Sequence, residues 1–217
     1  LFLTTMDKKI WDEIRKKGVE SAVRGLMKLS DGTRKIGLDP RRVLFRDILA
    51  AFGGRLEKII CGGAPLDAKI AADFRSLGID VWEGYGITEC SPLIAVDVYY
   101  HSKPGSVGPA VPSCMVRIED AATDENGHEV GEICVKGKNV MLGYYKDAAA
   151  TAAAFTEDGW FCTGDLGYLD SEGYIYITGR KKSVIVLENG KNVFPEEIEE
   201  YLASVDKIAE CVVVGRK

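Results

Sequence analysis

The stretch "LEKIICGGAPLDAKIAADFRSLGIDVWEGYG", Leu56 to Gly86, constrains the fold more than any other part of the chain. A short apolar run, a glycine turn, a helix-period segment and a second apolar run follow one another. Leu66, Ile70, Phe74 and Leu77 share one face of the predicted helix, and Gly78 caps it. Strand, turn, helix and strand in that order make a βαβ unit, which needs a parallel sheet covered by other elements. Ligands of such sheets sit at the carboxyl ends of the strands, where Gly62, Gly63, Gly84 and Gly86 fall.

The flanks can supply cover. "TTMDKKIWDEIRKKGVESAVRGLMKLS" places Ile10, Trp11, Ile14, Ala22, Val23, Leu26 and Met27 at helical spacing, with a break expected at Gly18. "LDPRRVLFRDILAAFGG" reads as one further helix, with Asp39 as N-cap, Pro40 in the first turn and Gly53 past its end. At 217 residues and 46% hydrophobic, the chain can bury a substantial core.

Near "HSKPGSVGPAVPSC" the texture turns irregular, and a subdomain boundary is expected there. Beyond it come short β-like runs, "MVRIED", "EICVKG", "WFCTGDLGYLD" and "YIYITG", joined by "DENGHE" and "DSEG" turns. "KDAAATAAAF" alone interrupts them with helix formers. After Lys182 a hairpin, a helix opened by Pro195 and a last strand ending in "VVVGRK" are expected. The predicted organisation is α/β plus β. Residues 1–100 form a partial parallel-sheet subdomain, 101–180 a small β-barrel-like subdomain, and 181–217 a hinge with the truncated start of an α+β domain.

Charge and cysteine usage narrow the function. A net charge of −5 argues against a general polyanion binder, so nucleic acid is not an expected partner. The six cysteines stand singly without a CxxC pair, and with only two histidines beside them they read as reduced thiols of a cytosolic protein. No apolar run is long enough to span a bilayer, and the start lacks the features of a signal peptide. A cytoplasmic location is therefore expected, with peripheral contact at a membrane left open.

Several residues carry possible chemistry. In "EGYGITECSP", Thr88 and Glu89 follow a strand whose glycines admit close approach of a ligand. A hydroxyl and a carboxylate there suit a phosphate oxygen and Mg²⁺, and equally suit a capping threonine beside a surface glutamate. Asp165 can accept two hydrogen bonds from a vicinal diol, and Arg180 can hold the same diol or a phosphate. Taken singly, each also has an ordinary turn or surface role.

The order "GGAP", "YGITE", "GEICVKG", "DGWFCTGDLG", "GRKK" changes the balance. Together these motifs resemble the adenylate-forming superfamily of acyl-CoA synthetases, luciferases and peptide-synthetase adenylation domains, and most of all its long-chain fatty-acid CoA ligases. The likeness runs from about Cys61 to Glu199. It implies activation of a carboxylate with ATP and Mg²⁺ to an acyl-adenylate, followed by transfer of the acyl group to coenzyme A.

By that resemblance Gly62, Gly63, Ala64 and Pro65 line the adenine pocket. Glu83 to Gly86 belong to the nucleotide-binding stretch, with Tyr85 stacked on the base. Thr88 contacts the α-phosphate and Glu89 holds Mg²⁺. Asp165 and Arg180 share the ribose hydroxyls, Lys182 is the hinge of a small mobile domain, and Gly190 approaches the pantetheine arm. The family's upstream phosphate loop and late catalytic lysine have no counterpart in the sequence, so the chain is expected to be a fragment of a longer ligase with little adenylation activity by itself. Two other readings stay open: a ligase for another acyl or aryl acid, or for a carrier protein in place of coenzyme A, and a non-catalytic nucleotide-binding module. The sequence is silent on oligomeric state.

Overall fold

A computed structural model describes residues 2–63, 66–97, 102–186, 192–203, 205, 208 and 211–215. The chain divides into two compact units, one of residues 1–61 and 66–82, the other of residues 62–65 and 83–217. Strand β2 runs from the first into the second.

In the first unit, α1 (Phe2–Lys16) and α2 (Glu20–Arg34) are separated at Gly18 as expected. Strand β1 (Lys58–Gly62), helix α5 (Ala68–Leu77) and strand β2 (Asp80–Gly86) form the βαβ unit, in a sheet that contains parallel pairing. The Asp67 carboxylate accepts from Lys69 N at 2.7 Å and so caps α5. Phe74, Leu77, Ile79 and Val81 are essentially sealed from solvent, and Trp11, Ile14, Met27 and Leu49 close over them.

The helix expected from Asp39 onward is two short ones, α3 (Arg41–Leu44) and α4 (Arg46–Ala50). Between them Phe45 leaves helical geometry at φ −110°, ψ 23°, and its ring is 2% exposed. Burial of this ring overrides local helix propensity. The residue flanking α3 is Pro40, but Asp39 still caps: its carboxylate accepts from Arg41 N and from the Arg41 guanidinium, with Nε–Oδ1 and Nη2–Oδ2 both 2.7 Å. The same guanidinium donates to Arg75 O at 2.6 Å and Asp80 Oδ1 at 3.2 Å, so four of its five N–H groups have partners.

Trp11 Nε1 is shared between two carboxylates, Asp7 and Asp73, at 3.1 Å each. Burial, with the neighbouring charge of Asp73, raises the pKa of Asp7 to about 6. A raised folded-state value means that this group's contribution to stability is complete below the unfolded value near 3.8 and is lost as pH rises through about 6. Asp7→Asn is therefore expected to raise the denaturant midpoint at about pH 8 and to leave it nearly unchanged at about pH 4. An equal offset at both pH values would show that the carboxylate pair is not the cause.

In the second unit, the end of β2 pairs antiparallel with β3 (Leu93–Val96), matching Gly84 with Val96 and Tyr85 with Ala95. The larger sheet runs β4 (Cys114–Thr123), β5 (Glu129–Gly137), β6 (Phe161–Leu169), β7 (Ile175–Arg180), every neighbour antiparallel. It is an open sheet and does not close into the expected barrel-like shape. Ile133, Val135 and Ile175 are sealed inside it, and Ile94, Cys90, Phe161 and Tyr85 join the same core. Loop residues tie β3 to β7: Val111 N donates to Ile94 O, Val107 N to Ile175 O, and Ile175 N to Gly108 O. Helix α6 (Ala148–Ala153) is capped by Asp147, and the short hairpin β8 (Ile185–Val186) and β9 (Asn192–Val193) precedes α7 (Pro195–Ala203). The expected final strand does not form over the described residues 211–215.

Candidate functional site

The chemistry-bearing residues of the second unit meet at the end of β2 and at an irregularity in β6. Cys134 pairs with Cys162, and two residues back Glu132 pairs with Leu166, so Ile133 alone faces Thr163, Gly164 and Asp165. Such a bulge re-aims a strand's side chains. Gly164 takes φ +75° within it, a conformation a side chain disfavours.

The bulge is pinned on all sides. Thr163 Oγ1 donates to Ile133 O at 2.8 Å and accepts from Asp165 N at 3.1 Å. Gly164 N donates to Glu132 Oε1 at 3.1 Å, and Lys181 N donates to Gly164 O at 2.8 Å. Lys181 Nζ meets the other oxygen of Glu132 at 2.6 Å, and this bond raises the lysine's pKa.

Asp165, 4% exposed, is held from two sides. Tyr85 donates its hydroxyl to Oδ2 at 2.7 Å, and Arg180, the register partner of Asp165 on β7, brings Nε to 2.8 Å from Oδ1. Burial raises the pKa of Asp165, against the lowering effects of the Tyr85 hydrogen bond and the Arg180 charge. Burial and then the charge of Asp165 push the Tyr85 phenol well above its ordinary value, so it stays a donor. The Arg180 side chain is 60% exposed, and its ion pair can rearrange around an incoming group at little cost.

At the end of β2 the chain enters a single 3-10 turn, Thr88–Cys90, and reverses at Ser91, φ 60°. Thr88 is exposed there, and Glu89 is half-buried. Tyr144 donates its hydroxyl to Glu89 Oε1 at 3.0 Å, and Met141 N donates to Glu89 O at 2.7 Å. Gly62 comes so close to β2 that a Cβ on it would stand 2.5 Å from Gly84 O.

Of the residues named from sequence, Tyr85, Asp165 and Arg180 are in direct contact, and Thr88 and Glu89 follow Tyr85 within one turn. Tyr85 is 6% exposed, so its hydroxyl contact is its clearest feature. Glu83 lies in β2, where its carbonyl accepts from Asp97 N at 2.8 Å. Lys182 is exposed in the turn after β7. Ala64, Pro65 and Gly190 lie outside the described residues. Sequence reasoning missed Glu132, Thr163 and Tyr144. The first two sat inside quoted motifs, but their roles depend on the register between β5 and β6.

No group of three or more His, Cys, Asp or Glu able to hold a metal occurs among the described residues. No described helix is long and apolar enough to cross a membrane.

The chain has counterparts among known proteins. Residues 9–145 match the model of the AMP-binding enzyme family, and the chain belongs to that family. It is similar to the long-chain-fatty-acid–CoA ligase FadD15 of Mycobacterium bovis, 42% identical over 174 residues, 80% of this chain and 27% of that protein. It is also similar to the indoleacetate–CoA ligase of Aromatoleum aromaticum, 39% identical over 168 residues, 74% of this chain and 32% of that protein. Among solved structures, the O-succinylbenzoate coenzyme A synthetase of Bacillus subtilis in complex with AMP superposes with a TM-score of 0.64 at 36% identity, covering 74% of this chain and 33% of that one. The chain thus spans about a quarter to a third of the length of the curated relatives it matches.

Proposed function

We propose that the second unit binds an adenine nucleotide and serves an ATP-dependent acid–thiol ligase, which activates a carboxylate as acyl-AMP and passes the acyl group to coenzyme A. The observation that carries this reading is the buried Asp165, presented on a pinned bulge and flanked by Tyr85 and Arg180. A carboxylate fixed in this way accepts from two adjacent hydroxyls, as a ribose requires. Tyr85 would orient Asp165 through its hydroxyl and stack its ring on the base. Arg180 supplies exposed donors beside the same diol.

Thr88 would donate to the α-phosphate. Glu89 fits Mg²⁺ because one oxygen is occupied by Tyr144 while the rest of the half-buried carboxylate can face a ligand, and a hard cation held mostly by phosphates and water needs only one protein carboxylate. Its chemistry would be neutralisation of charge on the phosphates. Gly62 and Gly63, with Ala64 and Pro65, would flank the base, and Gly190 would serve the pantetheine arm. Lys182, exposed after β7, would be the hinge about which the start of the small domain, 181–217, swings relative to the subdomains 1–100 and 101–180. A carboxylate joined to AMP gains a good leaving group, which the thiol then displaces.

The 42% identity to FadD15 supports a long-chain fatty acid as substrate. The 39% identity to the indoleacetate enzyme supports an aryl acid as the second reading. A cytoplasmic location, at or away from a membrane surface, accompanies both.

The ribose assignment is tested by calorimetric titration with AMP and with its 2′,3′-dideoxy analogue. AMP is expected to bind at least about tenfold more tightly, the worth of one charge-assisted hydrogen bond. Equal affinities would remove Asp165 and Arg180 from the ribose.

A further inference from the structure

Strands β5 and β6 bring two thiols face to face at the foot of the bulge. Cys134 and Cys162 are direct partners in the antiparallel register, and their sulfurs lie 3.3 Å apart. Cys134 is fully buried, and Cys162 is half-buried. Directly opposed residues of an antiparallel pair have Cα atoms about 4.5–5.5 Å apart. A disulfide spans Cα separations of about 4.4–6.8 Å, so the backbone already stands where a cross-link needs it.

We propose that Cys134 and Cys162 are an oxidisable dithiol, which hydrogen peroxide closes to a cross-strand disulfide that fixes the base of the bulge carrying Asp165. Cys162 meets the oxidant, because Cys134 is out of its reach. The Cys162 thiolate sulfur attacks one peroxide oxygen and the O–O bond breaks. This gives a sulfenic acid and a hydroxide, which takes up the proton lost by the thiol and leaves as water. The Cys134 sulfur then attacks the Cys162 sulfur and displaces its hydroxyl, which departs with the Cys134 proton as a second water. Two thiols lose two electrons, and one hydrogen peroxide is reduced.

Burial, and then the neighbouring thiol, raise the pKa of Cys134. Cys134 is thus held as the protonated thiol and does not meet the oxidant first; it gives up its proton only as it attacks the Cys162 sulfenic acid. The register jumps immediately after Cys162, so the cross-link would tie one end of the Thr163–Asp165 bulge to the neighbouring strand β5. This chemistry is independent of whether the bulge holds a nucleotide.

The test treats the full chain with one equivalent of hydrogen peroxide at mildly alkaline pH, blocks the remaining thiols and maps peptides without reduction. The expected result is a single linked peptide pair joining Cys134 to Cys162, lighter by two hydrogens and restored by dithiothreitol. The oxidised chain is expected to unfold at a higher denaturant midpoint, because the link shortens the unfolded ensemble. Cys162→Ser is expected to abolish both the link and the shift. Recovery of both cysteines as separately alkylated or sulfinic species, or a link to another cysteine instead, would overturn the proposal. The map of the unmutated chain decides this even if the variant does not fold.

Discussion

Gly86→Ala is expected to destabilise the second unit by about 3 kcal/mol or more, at the upper end of overpacking costs because the obstacle is backbone. A Cβ at Gly86 would stand well inside contact distance of the Pro92 carbonyl oxygen, 2.7 Å from its carbon and 3.0 Å from Leu93 Cα. None of these atoms can swing aside as a side-chain tip would. Pro92 O also accepts from Ile87 N at 2.8 Å, so backing away breaks the bond that closes the turn. The ladder shifts register between Tyr85 and Gly86, leaving little slack. Chemical denaturation checks the magnitude, and a loss below about 1 kcal/mol would mean that the turn relaxes freely. Because Tyr85 and Thr88 flank the turn, nucleotide binding should weaken in step with stability.

The elements legible in the sequence were those specified locally. Gly78 at the end of α5 and the 3.6-residue period of Ile70, Phe74 and Leu77 require no knowledge of the rest of the chain. The break at Phe45 was not legible, since a continuous helical pattern runs through it and only burial of the ring interrupts the helix. Strand β3 was passed over for a related reason. Leu93 to Val96 is too short and too uniformly apolar to show alternation, and its pairing with β2 depends on the reversal at Ser91. The open edge of the four-stranded sheet was likewise invisible, because alternating short strands and turns fit an open sheet and a barrel equally.

The site divides along the same line. Asp165 and Arg180 were legible as glycine-flanked charges on two strands of a hairpin, and the register makes them partners. That Tyr85, eighty positions away, donates to Asp165 follows from tertiary structure alone. The roles of Glu132 and Thr163 exist only because one residue of β5 faces three of β6.

Replacing Asp165 by alanine is expected to weaken AMP binding by about 10- to 100-fold, the loss of one or two hydrogen bonds to a charged acceptor. It also leaves the buried Tyr85 hydroxyl without its acceptor, which costs about 1–3 kcal/mol of stability. Asp165→Asn separates the two effects. The amide oxygen still accepts from Tyr85, so stability should largely return, while the missing charge leaves binding impaired by about tenfold. Lys182→Ala, on an exposed turn outside these contacts, should leave AMP affinity unchanged. The decisive measurement is a calorimetric titration of AMP into the unmutated chain, Asp165→Asn and Lys182→Ala under one set of conditions. Saturable binding that falls about tenfold in Asp165→Asn alone is the predicted result; equal affinity in all three proteins would contradict the assignment of this site.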